Sequence, residues 1–449
     1  MAYVAFAWKI FGNSPVVARI AMSWIAAAAL LGSYRVARLF TSPVRASAAV
    51  VVIALYPVLF VQSTLVQLDL AVAAVSVWAV YALLTGRFGY CVLLCCCAAG
   101  IKATGFVTGI ACFAALLIDY YLVRPRLFPN ITLGRLILYQ LGLPLIITGA
   151  GMALNYVVLS AAFGDLGILR YNLSSLASSP QRLLVAAVNR MWHLTGHMGL
   201  WALTASTALP ALRLYRTWPS SNTTLKKLCL LTASFTLVYG ITFTLIGGAI
   251  LARYVLPATL LLLTLGGVLA SLFLARGFVL LIPFVISVFV VSLVVEPPYH
   301  TVLEDGLMYQ KFITLHQKAA QRLLADAPRQ RVITTWPATD ELSKPFLGYV
   351  DHPLSVVPVP DLKEPTVAEA TATCPDCWVF VFNTEFVPAR SGFRPGDLLR
   401  RFSPWARGQS EQRASETLAT TDLKALQNYR LVERLNFGSN FGSIWAPIR

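Results

Sequence analysis

From residue 15 to residue 295 the chain is a succession of apolar runs, most of them about long enough to cross a ~30 Å hydrocarbon layer. Arginines and lysines collect in the short segments between them. No other feature constrains the fold as tightly. Inside a bilayer every backbone N–H and C=O must be satisfied without water, so runs of this kind read as helices. Ten can be traced: 14–34, 48–61, 70–84, 89–100, 104–121, 136–162, 199–212, 228–246, 255–274 and 278–295. The expectation is an all-α polytopic membrane bundle of about ten transmembrane helices over 1–295. A small extracytoplasmic α/β domain is expected over 296–449.

Composition excludes the main alternatives. At 57% hydrophobic and 12% charged, with a mean hydropathy of +0.67, the chain is unlike a soluble domain. Its net charge of +16 does not point to nucleic acid, because the cations lie between spans, where they set topology. Loops holding Arg35, Arg38 and Arg45, then Arg87, then Arg124, Arg126 and Arg135, then Arg213, Arg216, Lys226 and Lys227, and finally Arg276, all fall on one side. That side is read as cytoplasmic. Asp69, Lys102, the 163–197 connection, Arg253 and the C-terminal region then lie on the outer face. Met1 lies there too, so an earlier span is expected upstream of it.

Ionisable residues at helix ends or within membrane depth are expensive and mark function. Lys102 and Arg253 stand at the outer ends of runs, where both can reach one phosphate; the alternative is snorkelling to the headgroups. Asp69 is either a substrate-orienting carboxylate or the N-cap of the run that follows it. The 163–197 connection, with Asp165, Arg170, Tyr171, Asn172, Arg182 and Arg190, is long enough for a lid or acceptor surface. His193 and His197 have the spacing of a helical metal pair, but Gly196 weakens that helix and the default is interfacial histidines. Cys91, Cys95, Cys96, Cys97, Cys112 and Cys229 lie in apolar runs and read as small packing residues. Cys374-Pro-Asp-Cys377 is compatible with a redox pair, a metal half-site or a disulfide, and an oxidising outer compartment favours the disulfide. No cofactor is indicated, and a metal is not excluded.

Beyond residue 296 the pattern becomes that of a soluble domain. A helix is expected over 304–324, strands at 331–336, 355–359, 378–383 and 429–437, shorter helices near 367–371 and 418–427, and a polar loop over 391–415.

Several stretches together resemble the GT-C glycosyltransferases of the bacterial protein-mannosyltransferase and lipid-A aminoarabinose-transferase type. These are "AYVAFAWKIFG" from Ala2 with Asn13-Ser14-Pro15 and Ala18-Arg19, Asp69 ahead of "LAVAAVSVWAVYALL", "AAGIKATGFV" around Lys102, "ARYVLPATLLLL" with Arg253, Tyr254 and Pro257, and "VITTWPATDELSKPFLGYVDHPLSVVP". The resemblance implies an inverting hexosyl or pentosyl transferase in the bacterial cytoplasmic (inner) membrane. It would move a sugar from a polyprenyl-phosphate donor to a glycan, lipid or protein acceptor at the outer face. Asp69, Lys102, Arg170, Tyr171, Arg253 and Tyr254 would then bind substrate or donor phosphate. In the family an acidic first outer loop supplies the catalytic base. This sequence starts downstream of that loop, so the catalytic residue is unknown. Two other classes compete: a transporter or lipid flippase, for which no inverted internal symmetry is visible, and a non-catalytic membrane scaffold.

Overall fold

The computed structural model of the protein describes residues 2–163, 180–218, 222–246, 251–274, 276–299, 301–383, 424–437 and 440–448. Two compact units are formed, one of Met1–Tyr3 with Arg19–Val295 and the other of Val4–Ala18 with Glu296–Arg449.

The chain opens with α1 (Ala2–Phe11) and α2 (Pro15–Arg38). The run at 48–61 is broken: Pro57, at a first helical position, starts a new helix, leaving α3 (Pro43–Ala54) and α4 (Pro57–Gln62). There follow α5 (Leu68–Leu84), α6 (Phe88–Ile101) and α7 (Phe106–Leu122). The run at 136–162 begins as a π-helical segment, Leu136–Gly142, and continues as α8 (Leu143–Phe163). Then come α9 (Pro180–Thr195), α10 (Trp201–Arg216), α11 (Thr223–Leu245), α12 (Leu256–Phe273) and α13 (Gly277–Val294). All ten apolar runs are thus helical. Among the described residues, six helical stretches are long and apolar enough to cross a membrane: Pro15–Arg38, Ala103–Leu122, Leu133–Leu154, Thr223–Leu245, Ala252–Phe273 and Gly277–Val294. Three shorter apolar helices are α3, α5 and α6.

The stretch ending in α12 is central, with 83% of its most apolar window buried, against 22% for α13. α13 turns Val279, Leu280, Val291 and Val294 outward, as a lipid-facing helix does. Small residues let α3 cross α12 closely: a Cβ at Gly267 would lie 2.7 Å from that of Ala49. The C-terminal end of α12 carries carbonyls without intrahelical partners. Arg45 donates to Ser271 O at 2.8 Å and Arg213 to Phe273 O at 2.5 Å. Two cations from the basic loops therefore satisfy the negative end of the central helix.

The second unit contains α14 (Met308–Asp326), α15 (Ala338–Ser343), α16 (Glu364–Thr373) and a five-stranded sheet. Its strands are β1 (Arg331–Thr334), β2 (Ser355–Pro358), β3 (Trp378–Phe382), β4 (Tyr429–Phe437) and β5 (Asn440–Pro447). Their order is β2-β1-β3-β5-β4, with β1 parallel to β2 and β3, and β5 antiparallel to β3 and β4. β3 is buried along its whole length, which explains its unbroken apolar run. Four strands match the expected ones; β5 was not anticipated. Its signal is present, since Gly438-Ser439 between two β-rich runs is a hairpin spacing. Cys374 and Cys377 are joined as a disulfide with Cα atoms 5.4 Å apart, packed with Ile333, Val367 and Val379. The polar stretch 391–415 lies outside the described residues, as does most of the helix expected over 418–427.

Candidate functional site

Three breaks in helical structure build one polar cluster in the first unit. α5 starts at Leu68, and Asp69 lies in its first turn. Gln67 holds the N-cap position without a side-chain cap bond, so the N-cap reading of Asp69 is corrected. Its carboxylate is turned to cations instead, although it still gains from the helix dipole. Lys102 ends α6 with an extended backbone, φ −150° and ψ 140°, and a single 3₁₀ turn, Ala103–Gly105, follows. That turn folds tightly onto α6: a Cβ at Gly105 would lie 1.8 Å from Ala98 O. Only glycine fits. Arg253 and Tyr254 lie in the 3₁₀ turn Ala252–Val255 that leads into α12, whose second residue is Pro257.

Lys102 Nζ donates to Asp69 Oδ1 at 2.6 Å, and Arg253 Nε stands 3.6 Å from Asp69 Oδ2. The Lys102 ammonium lies 4.5 Å from the centre of the Tyr254 ring, and the Arg253 guanidinium carbon 5.7 Å from it. Both distances suit cation–π attraction. Each charged side chain keeps a small exposed fraction: 23% for Lys102, 17% for Arg253 and 10% for Asp69. The cluster is therefore largely desolvated yet reachable.

A third cation was not among the expected site residues. Arg190, on α9, is 1% exposed and donates to Leu251 O at 2.7 Å and Phe243 O at 3.4 Å. Its guanidinium carbon is 6.0 Å from the Tyr254 ring and 5.8 Å from Phe243. Tyr254 and Phe243 stack at 5.3 Å, continuing a file of rings through Tyr239 and Phe235 down α11. Beneath it, Ser76, Thr108 and Tyr239 are linked by two hydrogen bonds of 2.8 Å. Among the described residues, three cations lie around Tyr254 and two of them meet the Asp69 carboxylate.

The structure thus brings together Asp69, Lys102, Arg253 and Tyr254. Arg170 and Tyr171, the remaining expected members, lie outside the described residues, as do Asp165 and Asn172. His193 and His197 do not form a helical pair, because α9 ends at Thr195 and His197 opens a separate 3₁₀ turn. Their rings meet edge to face at 5.0 Å and both are buried rather than interfacial. No third metal-ligating side chain joins them among the described residues.

The fold is that of a multi-pass helical membrane protein with a polar cluster at helix ends and a small α/β domain. That fold is shared with crystal structures of ArnT from Cupriavidus metallidurans. The apo form matches with a TM-score of 0.50 at 12% identity, over 98% of this chain and 86% of the other. The form bound to undecaprenyl phosphate matches with a TM-score of 0.51 at 14% identity and the same coverage. No protein-family model and no curated protein sequence matches this chain.

Proposed function

We propose that the protein is a membrane glycosyltransferase that takes a sugar from a polyprenyl-phosphate donor and passes it to an acceptor at the outer face of the bacterial inner membrane. The observation that carries this reading is the convergence of Lys102, Arg253 and Arg190 around Asp69 and Tyr254. The shared fold with ArnT, one of whose structures holds undecaprenyl phosphate, supports it.

The chemistry follows from charge. A polyprenyl-phosphate sugar is a phosphodiester with one negative charge. When the glycosidic bond breaks, the departing lipid phosphate carries two. A cluster that holds these three cations attracts the first form and attracts the second more strongly. Its stabilisation therefore grows along the reaction, which is the condition for catalysis rather than mere binding. Lys102 supplies a point charge and Arg253 a planar fork able to grip two phosphate oxygens. Asp69 holds both cations in register before the lipid arrives, a positioning role. Cys374–Cys377 and the sheet around it form the extracytoplasmic domain of this reading, with its boundary near residue 296.

The test uses undecaprenyl phosphate as the probe on the purified full chain in detergent. Wild type is expected to bind it saturably, and Lys102→Ala or Arg253→Ala to weaken binding at least tenfold, about 1.4 kcal/mol. Arg253→Lys should recover only part of the loss. Sugar transfer in membranes should fall in step. Unchanged binding and transfer in both alanine variants would mean that these cations only anchor helix ends.

A further inference from the structure

Away from the cationic cluster, the interior of the first unit gathers three thiols. Cys91 and Cys95 lie one turn apart on α6, and Cys112 reaches them from α7. All three are fully buried, and their sulfurs lie within 4.8 Å of one another. Cys91 Sγ and Cys95 Sγ are 4.0 Å apart. Gln140, also fully buried, belongs to the π-helical segment Leu136–Gly142, a rare backbone form that recurs at functional sites. Its Nε2 lies 3.1 Å from Cys95 Sγ, and Cys91 Sγ lies 3.7 Å from its Oε1. A buried amide thus rests both of its polar ends on sulfur.

We propose that Cys91, Cys95 and Cys112 form a binding site for one Cu(I) ion. An equilateral triangle of sulfurs with a 4.0 Å edge has its centre ~2.3 Å from each corner, a metal–thiolate bond length. The wider separations within the cluster close by small side-chain rotations. Soft sulfur donors select Cu(I) or Zn(II). A structural zinc site takes four ligands in a tetrahedron, and no fourth His, Cys, Asp or Glu belongs to this group among the described residues. Three sulfurs suit a monovalent ion that accepts trigonal coordination. Charge argues the same way. Cu(I) displaces one thiol proton, which leaves to solvent, and the resulting thiolate complex with two neutral thiols carries no net charge. No electron is transferred. Each further proton lost would bury an uncompensated negative charge in an apolar interior, at several kcal/mol. Gln140 is placed to donate to the thiolate through its Nε2–H, an outer contact of the kind that tunes metal sites.

The experiment uses the full chain with Cys96, Cys97 and Cys229 replaced by serine and the Cys374–Cys377 disulfide retained. The purified protein is titrated anaerobically with Cu(I) against bicinchoninate. One Cu(I) per chain is expected, with X-ray absorption reporting three sulfur neighbours at ~2.3 Å. Adding Cys91→Ser, Cys95→Ser or Cys112→Ser should weaken binding at least a hundredfold in a protein that still elutes as a single species. The parent chain decides the matter even if a serine variant fails to fold. Failure of the parent to retain copper, or fewer than three sulfurs around the bound ion, would leave the three cysteines as packing residues and overturn the site. Retention of copper after Cys95→Ser would overturn it equally.

Discussion

Gly105→Ala tests the geometry that sets Lys102 in place. Gly105 has ordinary helical dihedrals, φ −66° and ψ −20°, so nothing in its own backbone forbids alanine. If the turn were open, the substitution would stabilise the protein by about 0.4–1 kcal/mol through the unfolded state. The structure expects the opposite sign. The new methyl carbon would lie 1.8 Å from Ala98 O and 2.4 Å from Ala98 C, and both are backbone atoms that no rotamer change can move. To reach even a tight contact, the turn must shift by about 1.2 Å. Lys102 sits inside that turn. Lengthening its 2.6 Å contact with Asp69 to about 3.8 Å at an effective dielectric of about 20 lowers the attraction from about 6 to about 4 kcal/mol. A loss of about 2 kcal/mol is about 30-fold in the folding equilibrium that this ion pair supports. The assay is thermal unfolding in detergent read by size exclusion, alongside undecaprenyl phosphate binding. Gly105→Ala should lower the midpoint and, by displacing Lys102, weaken binding. A raised midpoint with unchanged binding would refute the close approach and, with it, the claim that this turn fixes Lys102.

Asp69→Asn removes the carboxylate that Lys102 and Arg253 share, so the ligand-free protein should lose about 3 kcal/mol, the low end for breaking a sheltered pair. Undecaprenyl phosphate should restore more of the unfolding midpoint in this variant than in wild type; an equal shift in both would show that Asp69 and the lipid phosphate do not share the same cations. Fusions placed after Glu296 should be active with a periplasmic phosphatase and dark with a cytoplasmic fluorophore, and the reverse pattern would overturn the outer-face assignment. Cys374 and Cys377 should resist alkylation in oxidised cells and label after reduction; labelling of both without reductant would remove the bridge.

The bundle was legible because bilayer solvation leaves the sequence little choice: each apolar run became helical, and the run at 48–61 broke ahead of Pro57, which starts a new helix, although Pro210 and Pro283 are carried inside α10 and α13. The α/β domain was legible strand by strand from β-branched and aromatic runs. β5 escaped because "NFGSIWAP" mixes polar and small residues, and its burial comes from lying between β3 and β4 rather than from its own composition. Asp69, Lys102 and Arg253 stood out as charges with no reason to sit at apolar ends. That they converge on a single carboxylate was not readable, since positions 69, 102 and 253 share no local pattern.

Arg190 shows most clearly where such reading stops. In the sequence it is one of several arginines in a polar connection, indistinguishable from a solvated one. In the fold it is among the largest fully buried side chains. What identifies it is the backbone at the other end of its hydrogen bonds. The segment before Arg253 departs from helical geometry, with Leu251 extended at φ −103° and ψ 134°, and the Leu251 carbonyl accepts the Tyr254 N–H across the turn at 3.3 Å. A carbonyl has two lone pairs, and in a water-poor interior Arg190 supplies the second donor at 2.7 Å. The same bond fixes the turn that presents Arg253 and Tyr254. Arg190 therefore acts on the site twice, as a positive charge beside Tyr254 and as the donor that holds the Arg253 turn in shape. The buried arginine finds acceptors both in the irregular turn, at Leu251 O, and at the end of α11, at Phe243 O, and so ties the turn to that helix.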